Sequence, residues 1–169
     1  MKIKNITLTS LLLAMGFILH SIVPGFFGMK FDIFLSFLFL AIVICPTIEN
    51  AVLAGISGGI ITALTTTFPA GQIPNVIDKI ITALFVLMLV KLFQNIKNNS
   101  MKMAMIGFFG TLVSGSVFLT SALFLAGLPA PLSVLFVSVV LPAAVTNTAV
   151  TVIVYHAFSL ALKAKMQLS

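Results

Sequence analysis

Between Met103 and Leu162 the chain contains no Asp, Glu, Lys or Arg. A charge-free run of that length leaves few options, because a water-facing domain needs charge to cover its surface. Soluble domains are roughly a quarter charged, whereas this sequence of 169 residues is 7% charged and 60% hydrophobic. The solvent that suits such a chain is lipid. A bilayer core of about 30 Å takes roughly 20 apolar residues per helix, so the chain has room for about six spans and short links. Backbone groups in lipid must pair internally, which allows helices or a closed barrel. A barrel strand alternates apolar and polar residues. Runs such as Leu84 to Val90 and Leu132 to Val140 do not alternate. The expected fold is all-α, a polytopic bundle of transmembrane helices forming a single domain over 1–169.

Proline, glycine and charge divide the spans. The sequence predicts helices over 6–23, 30–44, 50–68, 74–93, 103–127 and 132–162. Pro24-Gly25 ends the first, Cys45-Pro46 the second, and Gly127 to Pro131 separates the last two. Pro74 suits the first turn of the fourth, where its missing N–H has no helical partner to lose. The Met1-Lys2-Ile3-Lys4 start resembles a signal peptide, but no convincing small-x-small cleavage site follows, so this segment is expected to remain as the first helix. All nine basic residues are lysines. With the N-terminus inside, Lys2, Lys4, Lys91, Lys97, Lys102, Lys163 and Lys165 fall in the cytoplasm, and only Lys30 and Lys79 fall outside. The opposite orientation violates the positive-inside rule, so both termini are expected inside. The lysines form no polar cluster, which argues against nucleic-acid binding.

Chemistry is expected at the outer side. Lys30 with Asp32, and Asp78 with Lys79, stand near the starts of inward-running helices, where the dipole favours a carboxylate. Neighbours on a helix diverge by about 100°. Neither pair is therefore expected to neutralise itself, and pairing across helices or with a ligand is favoured. Ser36 and Thr82, one turn further in, extend the polar stripe. A carboxylate beside a lysine suits a zwitterion, and anchoring of helix ends is the competing role. Gln72 and Asn75 add donors and acceptors. Asn147 either meets the ligand or bonds a neighbouring helix, since a polar group in lipid faces the bundle. Weaker candidates are Thr65, Thr66 and Thr67, the pair Ser116 and Thr120 on one face of the fifth helix, and His20. His156 lies at the opposite end. Most of the 16 phenylalanines suit packing or lipid contact, while Phe26, Phe27 and Met29 sit where an apolar cap over a ligand belongs. Ala51, Gly55, Gly59 and Ala63 form a ladder of small residues for close helix contact, as do Gly107, Thr111 and Gly115. Cys45 has no partner for a disulfide or metal site. No nucleophile–base pair, metal-ligand spacing or phosphate loop appears, so neither an enzyme nor a cofactor is expected.

The stretch from Leu64 to Lys79, LTTTFPAGQIPNVIDK, resembles the bacterial tryptophan-transporter family, TrpP. The likeness extends to Leu19 to Pro24, Phe27 to Asp32, Val113 to Leu119 and Val140 to Ala144. It implies tryptophan uptake across the bacterial plasma membrane, with the substrate bound near the outer face. For such a zwitterion the residues themselves suggest that Asp78 or Asp32 would hold the ammonium and Lys79 or Lys30 the carboxylate, with Gln72, Asn75 and Asn147 supplying hydrogen bonds. The family is similar in size and topology to the S components of energy-coupling-factor transporters. Those work with a coupling subunit and two ATPases, docking through small residues on the first helix, for which Ser10 and Ala14 are the nearest match here. An S component for another small nutrient and a non-transporting scaffold subunit are the alternatives.

Overall fold

The computed structural model describes residues 3–22, 25–26, 29–30 and 32–167, the strand residues and residues 164–167 by backbone alone. Helix α1 (Ile3–Ile22) leads to a short antiparallel ribbon, β1 (Gly25–Phe26) against β2 (Met29–Lys30), with Gly25 opposite Lys30 and Phe26 opposite Met29. Then come α2 (Phe34–Ile44), α3 (Ile48–Thr65), α4 (Gln72–Leu92) and α5 (Asn99–Leu125). The last rod begins as α6 (Leu132–Leu135), passes through a π-helical stretch at Phe136–Val140 and continues as α7 (Leu141–Gln167). The chain is an all-α polytopic membrane protein.

Local chemistry sets these limits. Thr47 caps α3, its Oγ1 accepting from Asn50 N at 3.3 Å, and Glu49 favours the same positive helix end. Asn98 caps α5 by accepting from Met101 N at 3.2 Å. Pro46 follows the last turn of α2, where a helix cannot continue without strain. Pro142 accounts for the π-helical stretch: lacking an N–H, it breaks the regular hydrogen-bond ladder in the turn that precedes it.

Among the described residues, four rods are long and apolar enough to cross a bilayer: Ile3–Ile22, Ile48–Thr65, Asn99–Leu125 and Leu132–Lys163. Helix α4 is as long, at 21 residues, but carries Asp78, Lys79 and Lys91. Helix α2 corrects the expectation of a full second span over 30–44. It starts at Phe34, because Met29–Lys30 belong to the ribbon, and its 11 residues cover only about 17 Å at 1.5 Å per residue. It survives in a bilayer protein because other helices surround it. Every side chain from Phe34 to Ile42 is buried, and α2 packs on α1, α3, α4, α5 and α7. Phe34, Leu38, Phe39 and Ile42 form the centre of the main core with Ala54, Val86 and Ile106. Leu11, Ile18, Ile60, Leu64, Phe124 and Ile153 face outward, where lipid suits them.

Close contact between α3 and α4 follows from glycine. A Cβ at Gly59 would lie 2.9 Å from Val76 Cα, and one at Gly55 would lie 3.0 Å from both Ile80 Cα and Lys79 O. The two backbones thus touch along the part of α4 that carries Asp78 and Lys79. Because the rods alternate in direction, the ribbon and the 66–71 and 126–131 links share one end of the bundle. Lys4, Lys91, Lys97, Lys102 and Lys163 lie toward the other.

Candidate functional site: an ionic and aromatic hollow

Asp78 and Lys79 lie in the second turn of α4, pressed inward by the glycines of α3. Each is only 1% exposed. Two full charges at that depth need partners. Lys79 Nζ lies 2.7 Å from Asp32 Oδ2, and it also pairs with Asp78 Oδ2. The first contact joins α4 to the segment just before α2, whereas the sequence predicts Asp32 within the second helix. The second corrects the expectation that adjacent residues would not meet: the flexible four-carbon lysine stem folds back across the divergence. Thr82 Oγ1 donates to Asp78 Oδ1 at 2.8 Å. His20 Nδ1, from the last turn of α1, lies 3.4 Å from Asp32 Oδ1.

This cluster forms one wall of a hollow with about 620 Å³ of atom-free space, its mouth included. Phe68, Phe118, Val139 and Val140, which pack in one cluster, form an apolar wall, and Leu35 and Ala143 add to the apolar lining. Phe68 and Phe118 meet edge to face, with ring centroids 5.4 Å apart, a favourable aromatic arrangement. Val139 and Val140 belong to the π-helical stretch, so the irregular turn shapes this wall. Thr62, Thr66, Thr67, Thr111 and Ser114 also line the hollow.

The structure sorts the sequence-expected residues. Asp32, Asn75, Asp78, Lys79 and His20 line the hollow together. Asn75 is partly occupied with its own turn, donating from Nδ2 to Gly71 O at 2.8 Å. Gln72, the first residue of α4, is exposed and lies outside the lining. Asn147 also lies outside it, in the packing behind. Its Nδ2 donates to Asp32 O at 3.0 Å and to Thr111 Oγ1 at 3.2 Å, so it bonds neighbouring segments. Ser36 joins the same inner layer through Thr151 Oγ1 at 3.0 Å. The side chains of Lys30, Phe26 and Met29, and Phe27 altogether, lie outside the described residues. On α5 the expected pair is turned away: Ser116 donates to Leu112 O at 2.7 Å, and Thr120 is exposed. Thr111, Ser114, Gly115 and Phe118 face the hollow instead. Their spacing is that of one helix face. That periodicity was available in the sequence, and it is the signal that identifies them.

The geometry gives a membrane bundle with a hollow whose lining combines both signs of charge with apolar and aromatic side chains. The family model described as "Tryptophan transporter TrpP" matches residues 2–163. A "Probable tryptophan transport protein" of Bacillus subtilis is 46% identical over 156 residues, covering 92% of this chain and 90% of its own. Proteins given the same name in Clostridium acetobutylicum and Clostridium perfringens are 40% and 42% identical, covering 93% and 90% of this chain and 92% and 90% of theirs. No solved structure matches. The chain belongs to the tryptophan transporter TrpP family.

Proposed function

We propose that this protein imports tryptophan across the bacterial plasma membrane, taking it into the hollow from the outer side. The observation that carries this reading is the division of one hollow into an ionic wall and an aromatic wall. The names of the relatives agree with it. Asp78 and Asp32 receive the α-ammonium. Lys79, which has three N–H donors and two carboxylate partners, gives its remaining donor to the α-carboxylate. The indole lies among Phe68, Phe118, Val139 and Val140. The lysines at the opposite end favour an inside location for that end, which turns the hollow outward. Gln72, exposed at the rim, meets the substrate only on entry, and Asn147 supports Asp32 from behind.

Thermal unfolding of the purified protein in detergent tests this reading. Tryptophan at a hundredfold excess over its Kd stabilises by about 2.7 kcal/mol. Tryptamine and indole-3-propionate, which lack one charge each, shift the melt less, and alanine does not shift it. No response to tryptophan would leave a scaffold subunit as the better description. A second reading, an S component driven by a coupling subunit and ATPases, has one observation in its favour: Ser10 and Ala14 both lie on the exposed face of α1. Uptake by lipid vesicles containing this protein alone excludes an obligate partner.

A further inference from the structure

With both carboxylates ionised, the ionic wall holds more negative than positive charge, and a zwitterion does not correct that. Asp32 and Asp78 face the single ammonium of Lys79. The packed elements contribute as follows: α1 brings His20, the segment before α2 brings Asp32, and α4 brings Asp78 and Lys79. The lining from α3 and α5 is uncharged there, with Thr62, Thr66, Thr111 and Ser114, and α7 adds Asn147 behind. Lys30 is the other charged residue of this end, with its side chain outside the described residues. While the hollow is open, water through its mouth screens the excess charge. A bound indole displaces that water, and an uncompensated charge in a dry membrane site costs several kcal/mol.

His20 is placed to remove the excess. It is 5% exposed and lines the hollow. Its Nδ1 lies 3.4 Å from Asp32 Oδ1, an oxygen that accepts no hydrogen bond among the described residues. Histidine is the side chain that ordinarily changes charge near neutral pH. We propose that one proton binds with each tryptophan at the His20–Asp32 pair, so that the loaded site is neutral and a proton gradient drives uptake. The proton comes from the outer side, rests on the His20 imidazole beside Asp32, and leaves with the substrate on the inner side. This inference rests on reading the hollow as the tryptophan site.

Calorimetry of tryptophan binding in phosphate and in Tris, whose ionisation enthalpies differ, counts the protons taken up. At about pH 7.5, above the ordinary histidine range, the wild type takes up about one proton per tryptophan. His20→Gln and His20→Asn take up almost none. Wild-type affinity falls by up to about tenfold per pH unit as His20 loses its proton, by linkage, and the variants lose this dependence. Binding by the wild type without proton uptake overturns the inference and leaves the tryptophan reading standing; that is the result expected if Lys30 supplies the missing charge. Full uptake in the His20 variants also overturns it. Absence of tryptophan binding by the wild type removes both. The wild-type measurement decides even if neither variant folds.

Discussion

The two ends of the bundle each bury a polar cluster, and they differ in how completely it is satisfied. At the end away from the hollow, Asn50 is fully buried. Its Oδ1 accepts from Thr9 Oγ1 at 2.7 Å, and its Nδ2 donates to Ala41 O at 3.0 Å and Cys45 O at 2.9 Å. Both amide hydrogens are used and no charge is present. The knot ties α1, the end of α2 and the start of α3 together. At the other end the cluster is charged, opens on a hollow and keeps spare capacity: neither Asp32 Oδ1 nor Asn147 Oδ1 receives a hydrogen bond among the described residues. Saturated neutral polarity holds helices in place. Unsaturated charged polarity beside an empty space is suited to a ligand.

Substitutions at the two ends should therefore separate binding from stability. The largest effect is expected for Asp78→Asn, which removes one carboxylate but leaves Lys79 paired with Asp32. Tryptophan affinity should fall by about 3 kcal/mol, more than a hundredfold in Kd, while the protein still inserts and elutes as a folded species. Unchanged affinity by calorimetry would refute the role given to Asp78. Asn50→Ala should do the opposite. Losing three buried hydrogen bonds at about 0.6 kcal/mol each lowers stability by about 2 kcal/mol, measured as the melting shift, while Kd stays within about twofold. If binding weakens as much as in Asp78→Asn, the two ends are not independent. The smallest effect is expected for Phe118→Leu, which keeps the wall apolar but loses the edge-to-face ring contact. About 1 kcal/mol, or roughly fivefold in Kd, should be lost. A selective loss for tryptophan over leucine in a competition assay would sharpen the assignment of the aromatic wall.

Much of this arrangement was legible in the sequence because its punctuation is chemical. The breaks at Cys45-Pro46 and Gly127 to Pro131 fall between rods, and the four outer charges were conspicuous against an apolar background. The burial of α2 was not legible. Lipid is about as apolar as leucine, so a run such as Phe34 to Ile42 reads the same whether it faces acyl chains or other helices. Its length could be read only once the ribbon had claimed residues 29–30. The inward face of α5 was ambiguous for a related reason: Thr111 with Ser114 and Ser116 with Thr120 both look like hydroxyl stripes. Packing against the π-helical stretch, where a Cβ on Gly115 would lie 2.5 Å from Val140 Cγ1, selects the first. The Lys79–Asp78 contact escaped a rule about Cβ directions because the lysine ammonium sits four bonds beyond its Cβ.

The glycine contact between α3 and α4 has a consequence for how mutational data on this chain should be interpreted. At Gly59 the nearest obstacle is the main chain of Val76, which has no rotamer to change. An added methyl group must therefore displace the whole helix, and two residues further along that helix is Asp78. Alanine at position 59 would mimic damage to a substrate contact without touching any substrate, and a scan scored on activity alone would place a spacer among the ligands.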